Sequence, residues 1–206
     1  MSSADLYINS IDIKKYLDES ECLKCGFSSC NDFIESVKEG KANIEECKFI
    51  GKNRLNAFKA LKKIEINWPE VPLITFPRPA YTGLIELNNP DEKSIILITG
   101  NNEFTEQVVL TVLGTTACPF YVLFVDTDGN TIDMSMIYNT FNAERVLDAL
   151  EKTGLLNVSS EKNIIIPGLA HSIENEIKKL TRFNVKTGPV CVAELPLLLS
   201  DIWIPP

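Results

Sequence analysis

Four short apolar runs alternate with helical patterns through the second half of the chain, and this alternation constrains the fold more than any other feature. The runs are SIILIT (94–99), FYVLFVD (120–126), NIIIPG (163–168) and FNVKTG (183–188). Each has the length and composition of a buried strand. Between them lie FTEQVVLTVLG, NAERVLDALEKTG and HSIENEIKKL, in which apolar residues recur at helical spacing. The alternation predicts an α/β fold with a parallel sheet and helices on its faces.

The N-terminal part of the chain has a helical pattern instead. Apolar residues recur at helical spacing up to Gly40, a typical helix C-terminal stop, and again in NRLNAFKALKKI (53–64). The following stretch, WPEVPLITFPRPAYTGLIELNNP (68–90), contains five prolines. Because proline interrupts long helices and central strands, we expect an extended, packed connection there. The sequence thus predicts three parts: a helical domain (1–66), a proline-rich connection (67–92) and a Rossmann-like α/β domain (93–206).

The charge distribution argues against several classes of function. The formal net charge is −8, and residues 1–65 carry 11 Lys and Arg against 11 Asp and Glu, so the negative excess follows residue 65. Such a surface repels phosphate backbones, which disfavours nucleic-acid binding; it is either a solvated surface or a docking patch for a basic partner. No run of about 18 apolar residues is present, so no membrane span is expected. The start, MSSADLYINS, lacks a secretory pattern, and we expect a cytoplasmic protein, in which structural disulfides are rare.

Four of the six cysteines lie near the N-terminus, at Cys22, Cys25, Cys30 and Cys47. In the spacing C-x2-C-x4-C-x16-C, three thiols fit one tight loop, and the fourth returns after the helix that ends at Gly40. A [4Fe–4S] cluster needs four converging thiolates and suits this arrangement. The alternatives are a structural zinc site, which usually has two close cysteine pairs, and unrelated thiols.

The stretch CLKCGFSSCNDFIESVKEGKANIEEC (22–47) resembles the N-terminal cluster domain of the corrinoid iron–sulfur protein large subunit, the family of the acetyl-CoA decarbonylase/synthase gamma subunit. The family pattern keeps Cys-x-x-Cys-Gly, a third Cys with a Phe three residues later, and Gly-Lys-Ala before the fourth Cys. Gly26, Phe33 and the Gly-Lys-Ala at 40–42 match it. The resemblance implies a [4Fe–4S] cluster bound by Cys22, Cys25, Cys30 and Cys47.

The α/β part resembles the corrinoid-binding domain of the same family, in the same order along the chain. The matching stretches are IILITGNNEFT (95–105), LFVDTDGNTI (123–132), IIIPGLA (164–170) and TGPVCVAELPLLL (187–199). Each contains a loop that follows a predicted strand, where ligands of open α/β sheets bind. Small and hydroxyl residues there can approach a large ring and hydrogen-bond to its amide side chains. The resemblance implies a cobamide bound by Thr99, Asn101, Thr105, Gly129, Asn130, Thr131, Met136, Gly168, Leu169, Ala170, Gly188, Pro189 and Ala193.

The resemblance further implies a methyl carrier rather than a free-standing enzyme. Its cobamide accepts and donates methyl groups, and its [4Fe–4S] cluster reductively reactivates cobalt. The expected partner is a methyltransferase or another corrinoid-protein chain, and no catalytic residue is predicted in this chain. The alternatives are an iron–sulfur electron-transfer protein without a corrinoid, and a module for corrinoid storage or scavenging.

The sequence departs from the family at two places. The barrel domain that the family carries between its cluster and corrinoid domains is missing, and only the proline-rich connection lies there. MIYNT (136–140) stands where the family has a small-residue stretch beside the corrinoid. Met136, Ile137 or Tyr138 is therefore either a cap over the upper face of cobalt or part of the core.

The remaining histidine and cysteines carry weaker predictions. The Asp-x-His-x-x-Gly cobalamin signature is absent, so no protein histidine is expected on cobalt. The only histidine, His171, is interpreted as a surface or helix-start residue. Cys118 and Cys191 are interpreted as small buried hydrophobes, although Cys191 falls within the predicted pocket segment.

Overall fold

A five-stranded sheet forms the centre of the computed structural model, which describes residues 10–17, 26–70, 76–158, 161 and 163–206. Its strands are β1 (Gly83–Leu87), β2 (Ile95–Gly100), β3 (Phe120–Val125), β4 (Asn163–Ile166) and β5 (Asn184–Thr187). They lie in the order β1-β3-β2-β4-β5. β2, β3, β4 and β5 run parallel, whereas β1 pairs antiparallel with β3 at the sheet edge. The predicted α/β fold is confirmed, with one antiparallel edge strand added.

Eight α-helices and four 3-10 helices accompany the sheet in the described residues. The α-helices are α1 (Cys30–Lys38), α2 (Lys52–Ile66), α3 (Glu103–Leu113), α4 (Ile132–Ile137), α5 (Ala143–Lys152), α6 (Leu155–Val158), α7 (Glu174–Thr181) and α8 (Leu195–Leu198). The 3-10 helices are Ile13–Tyr16, Ile44–Glu46, Gly168–Ile173 and Val192–Glu194. Within the described ranges, no helix has both the length and the apolarity that a membrane crossing requires.

Both faces of the sheet are buried, which explains the near-continuous apolar sequences of β2 and β3. On β3, Phe120, Val122 and Phe124 face one apolar layer, and the alternate residues Tyr121 and Leu123 face the other. Side chains of α2, α3 and the C-terminal residues complete the first layer, and those of α5 and α7 complete the second. The sheet is therefore a central layer between two helical layers.

Two C-terminal elements differ from the sequence expectation. FNVKTG is predicted as a buried strand, but β5 is an edge strand, so Asn184 and Lys186 are exposed while Val185 is buried. HSIENEIKKL is predicted as one helix, but α7 begins only at Glu174, after the 3-10 helix. His171 lies in that 3-10 helix and is exposed.

The proline-rich connection contributes an element of the sheet. Strand β1 lies within it, at an edge, which is where sheets tolerate such sequences. Before β1, the N–H of Arg78 donates to the carbonyl of Gly129 (2.8 Å), and the N–H of Ala80 donates to the carbonyl of Asn101 (2.7 Å). These acceptors follow β3 and β2. The connection is therefore fastened across the carboxyl ends of those two strands.

The N-terminal helices pack directly against the α/β domain. Phe58 and Leu61 of α2 belong to the same buried apolar cluster as Leu97 of β2. The Tyr16 hydroxyl donates a 2.7 Å hydrogen bond to the Glu194 carboxylate, and both residues are buried. We call the described residues 10–17 and 26–68 the helical module, which ends two residues after the predicted helical domain (1–66). The helical module and the α/β domain therefore share one continuous core.

Candidate cofactor sites

The order of the parallel strands creates a crevice between β2 and β4. Along the chain, the strand after β2 is β3, which lies on one side of β2, whereas β4 and β5 lie on the other side. The connections that follow β2 and β4 therefore leave in opposite directions. Open α/β sheets bind ligands at such a point, outside the carboxyl ends of the strands.

A cavity of about 570 Å³ lies at this position, and we call it the switch-point cavity. Most of its lining comes from the ends of β2 and β4, the first turns of α3, the start of α4 and the loop after β5. The lining residues are Ser10, Trp68, 97–99, 104–105, 108–109, 122, 131–133, 165–167, 169, 189–192 and 195. Most of these side chains are apolar, so the cavity suits a large ligand with an apolar face.

Five of the predicted cobamide-binding residues line this cavity: Thr99, Thr105, Thr131, Leu169 and Pro189. Thr99 belongs to β2, Thr105 to the first turn of α3, and Thr131 immediately precedes α4. The cap of α3 is Asn102, whose side-chain oxygen accepts the N–H of Phe104 (3.0 Å) and of Thr105 (3.4 Å). Three threonines from three elements therefore line one cavity.

Asn101 lies in the predicted loop, but its side chain does not line the cavity. Its oxygen accepts the backbone N–H of Thr127 (2.8 Å) and of Gly129 (3.2 Å), and its amide nitrogen donates to Thr82 (2.9 Å) and Asp126 (3.2 Å). Both ends of the amide are thus engaged within the protein. Asn101 braces the loop after β3, and it offers no spare amide group to a ligand.

Two predicted glycines are close to the protein's own backbone. Gly129 has φ +72°, and a Cβ there would lie 2.3 Å from the nitrogen of Pro79. A Cβ at Gly168 would lie 2.5 Å from the nitrogen of Val190. These glycines shape the loops around the cavity without lining it. The other predicted residues that do not line the cavity are Asn130, Met136, Ala170, Gly188 and Ala193.

One residue of the MIYNT stretch packs against the core, and the next two are exposed. Met136 is partly buried and packs against the apolar layer of α5 and α7, whereas Ile137 and Tyr138 are 72% and 61% exposed. None of the three lines the switch-point cavity. Met136 therefore contributes to the core, and a cap over a ligand by Ile137 or Tyr138 stays a prediction.

Sequence reasoning missed several lining residues, including Ser10, Trp68, Phe104 and Asp133. Phe104 and Asp133 adjoin predicted residues, so the position of their loops was the available signal. Ser10 and Trp68 come from the two ends of the helical module, far from the α/β motifs in sequence. No local pattern marks them, because only the packing of the module brings them to the cavity.

Cys191 lines the switch-point cavity and is 6% exposed. Burial raises the pKa of its thiol from 9.0 to about 11; the nearby Glu194 carboxylate adds to this effect, and a hydrogen bond from the Ala193 N–H opposes it. The thiol is therefore protonated at neutral pH and adds no charge to the cavity. Cys118 is also buried, as expected, and its sulfur accepts the N–H of Ile204 (3.3 Å).

A second cavity, of about 400 Å³, contains two of the predicted cluster ligands, and we call it the cysteine cavity. It is lined by Tyr16, Leu17, Cys30, Cys47, 49–54, Ser200 and Asp201. Cys30 is the first residue of α1, and Cys47 follows the 3-10 helix Ile44–Glu46. Two cysteines that are 17 positions apart in sequence thus line one cavity.

The structure describes two of the four predicted cluster ligands, Cys30 and Cys47. Cys22 and Cys25 lie outside the described residues. Gly26 has φ +88°, a conformation that favours glycine beside the cysteine loop. Cys30 is disulfide-bonded in the structure, and a disulfide and an iron thiolate are mutually exclusive states of one sulfur. Its use as a cluster ligand therefore requires the reduced thiol.

Two segments run from one cavity to the other. Ser10 lines the switch-point cavity, and Tyr16 lines the cysteine cavity. Near the C-terminus, Leu195 lines the switch-point cavity and Ser200 lines the cysteine cavity. The N–H of Leu199 donates a hydrogen bond to the carbonyl of Leu195 (2.9 Å), so this segment is helical. One helical turn plus one residue spans at most about 10 Å. The two cavities therefore have walls that are close together.

Two family models match the chain. The model described as "CO dehydrogenase/acetyl-CoA synthase delta subunit" matches residues 70–198, which include most of the switch-point lining. The model described as "Putative Fe-S cluster" matches residues 17–49, which include all four N-terminal cysteines. Each matched region thus contributes to a different cavity.

Similar proteins include gamma subunits of the acetyl-CoA decarbonylase/synthase complex. The chain is 30% identical over 174 residues to the subunit of Methanothermobacter thermautotrophicus, which covers 79% of this chain and 38% of that relative. It is 28% identical over 143 residues to the subunit of Methanopyrus kandleri, a match that covers 65% of this chain and 31% of that relative. It is 30% identical over 146 residues to the subunit of Methanocaldococcus jannaschii, a match that covers 66% of this chain and 30% of that relative. The matched regions span about a third of the length of these relatives.

Proposed function

Because the chain belongs to the CO dehydrogenase/acetyl-CoA synthase delta subunit family, we propose that it is a corrinoid iron–sulfur protein that carries methyl groups. The observation that carries this proposal is the switch-point cavity, which three threonines line at the carboxyl ends of the parallel strands. The cysteine cavity beside it supports a second cofactor in the same chain.

The lining of the switch-point cavity fits a cobamide in its chemistry. The apolar side chains of α3 and β4 can cover the face of a large ring, and the hydroxyls of Thr99, Thr105 and Thr131 can hydrogen-bond to its amide side chains. Leu169 and Val190 are 36% and 55% exposed, so a ligand larger than the cavity can extend past them. His171 lies outside the lining, so cobalt would have no protein imidazole.

For the cluster we propose Cys22, Cys25, Cys30 and Cys47 as ligands. Lys52, Arg54 and Asp201 line the cysteine cavity, and the net positive charge of these three side chains would partly offset the charge of the thiolates. Arg54 is held in place because its guanidinium donates to the carbonyl of Tyr16 (2.7 Å). The residues present thus fit an anionic cluster.

When bound, the cobalt centre supplies the methyl-transfer chemistry and the cluster supplies single electrons for its reactivation. The chain's own part is to position the two groups, and the close walls of the two cavities support a short path between them. Because the relatives are named as subunits of a complex, we propose a partner chain, such as a methyltransferase, that exchanges methyl groups with this protein.

The test is a visible-absorption titration of the anaerobically purified full chain with hydroxocobalamin. The proposal predicts saturable binding at one cobamide per chain, together with the broad absorption of an iron–sulfur cluster. Cluster absorption without cobamide binding would support an electron-transfer protein instead. Binding of cobamide without methyl exchange to any methyltransferase tested would support storage or scavenging.

A further inference from the structure

We propose that the helical module supplies one wall of the switch-point cavity, and that the indole N–H of Trp68 donates a hydrogen bond to a carbonyl of the bound ligand. This inference rests on the proposed function, because the ligand it invokes is the cobamide with its amide periphery. It goes beyond that function, since it makes the segment carrying the cluster cysteines part of the cobamide site.

The proposal that the helical module supplies one wall of the cavity rests on the positions of Ser10 and Trp68. Ser10 and Trp68 line the cavity, and every other lining residue follows residue 96. Ser10 precedes the four N-terminal cysteines, and Trp68 follows α2, the last helix of the module. The two ends of the module therefore meet at a site otherwise built from the α/β domain.

The proposed hydrogen bond to the ligand rests on an unpaired donor, the indole N–H of Trp68. The Nε1 atom of Trp68 is buried and has no hydrogen-bond partner among the described residues. Buried N–H groups in folded proteins are nearly always paired, so an orphan donor at a cavity needs an explanation. The amide carbonyls around a cobamide are acceptors that can supply the missing partner.

This wall is held in place before any ligand binds. Tyr16 and Lys15 both contact the buried carboxylate of Glu194, which lies between the lining residues Val192 and Leu195. Burial and the hydrogen bond to Glu194 raise the pKa of the Tyr16 hydroxyl, so this contact keeps its proton well above neutral pH. The module is thus fastened to the same loop that lines the cavity.

The second tryptophan provides a matched control. The Nε1 atom of Trp203 is also buried and unpaired among the described residues, and its ring packs 6.0 Å from that of Phe120. Trp203 does not line the cavity. Both indole N–H groups lack a partner among the described residues, but Trp68 is partly exposed and lines the cavity, whereas Trp203 is 2% exposed and lies in the core.

The experiment uses the full chain with Trp68→Phe and Trp203→Phe, titrated with hydroxocobalamin. Trp68→Phe removes the N–H and keeps an aromatic ring, so we expect the Kd to rise about 2- to 12-fold, as for one lost neutral hydrogen bond. Trp203→Phe should leave the Kd within about 2-fold, because that N–H does not reach the cavity. Urea unfolding of ligand-free Trp68→Phe should show a smaller loss of stability than Trp203→Phe, because the lost N–H has no partner among the described residues in either case and Trp68 is less buried.

Indole resonances separate a hydrogen bond from mere packing. The chain has two tryptophans, so a 15N-labelled sample gives two indole N–H signals that the two variants assign. Binding of hydroxocobalamin should move the Trp68 signal downfield and slow its hydrogen exchange, and should leave the Trp203 signal in place. Equal Kd values for wild type and Trp68→Phe, or an unmoved Trp68 signal, would overturn this inference. A wild-type protein that binds no hydroxocobalamin would overturn the proposed function itself.

Discussion

The two cavities are built on different principles. The switch-point cavity arises from the order of the strands, and its loops are fixed by hydrogen bonds within the chain, such as those of Asn101 and Asn102. The cysteine cavity instead gathers sulfurs from the start of α1 and from a 3-10 helix end. One site therefore follows from the strand order, whereas the other follows from the positions of two cysteines near helix ends.

Substitution of one cysteine should affect iron binding without affecting cobamide binding, and this is the largest effect that we expect. Cys47→Ser should reduce iron to a small fraction of the wild-type content, because it removes one of the four proposed cluster ligands. The affinity for hydroxocobalamin should stay within about 2-fold, since Cys47 does not line the switch-point cavity. Cys118→Ser is the control, and it should keep its iron. Full iron content in Cys47→Ser would break the assignment of the cysteine cavity.

Cys191, the cysteine in the switch-point cavity, should react slowly with alkylating reagents because its thiol stays protonated. Because burial raises the pKa of Cys191 to about 11, its thiolate fraction at pH 8 is about a hundredfold below that of a thiol with pKa 9.0. Iodoacetamide should therefore alkylate Cys191 slowly in the folded protein, as measured by mass spectrometry of its peptide. Since the folded pKa is the higher one, the stabilisation from Cys191 is present below pH 9 and is lost as the pH rises through 11. Alkylation as fast as in urea-unfolded protein would contradict this environment.

The loops of the switch-point cavity should be sensitive to a single methyl group. Gly129→Ala should destabilise the protein by about 2 kcal/mol or more, because its φ is positive and its Cβ would meet Pro79. Gly154→Ala is the matched control: its φ is +74° and nothing lies within 4 Å, so only the backbone strain of about 1 kcal/mol remains. Urea unfolding measures both, and equal losses would show that the contact with Pro79 adds nothing.

The threonines should affect binding and leave stability almost unchanged. Thr99→Val combined with Thr105→Val should raise the Kd for hydroxocobalamin about 5-fold or more, as for two lost neutral hydrogen bonds. The thermal midpoint of the ligand-free protein should move little, because Asn102 caps α3. A lower midpoint with unchanged affinity would make this loop structural and not part of the binding site.

The sequence predicted those features that local patterns determine. Thr99 and Thr105 line the cavity because each lies where a strand ends or a helix begins, and both boundaries are visible in the sequence. Asn101 lies in the same loop, but only the fold shows that Thr127 and Gly129 engage its side chain. Trp68 was missed for the same reason, because packing over a long sequence distance brings it to the cavity.

The antiparallel strand β1 was missed as well. Its sequence lies among prolines, which suggest a connection, and its pairing with β3 is a contact between residues 33 to 41 positions apart. The sequence suggested a packed connection, but Phe76 and Tyr81 are 75% and 45% exposed, and the role of this stretch at the carboxyl ends of the strands was not predictable. Hydrogen bonds from Arg78 and Ala80 to the cavity loops establish that role.

The central claim is that one chain holds a cluster and a cobamide in two neighbouring sites. Its most direct test is the iron and cobalt content of the full chain, purified anaerobically with a thiol reductant, supplied with iron, sulfide and hydroxocobalamin, and freed of excess reagents by gel filtration. The account predicts about four iron atoms and about one cobalt atom retained per chain. Stoichiometric zinc with no iron, or iron with no retained cobalt, would contradict it.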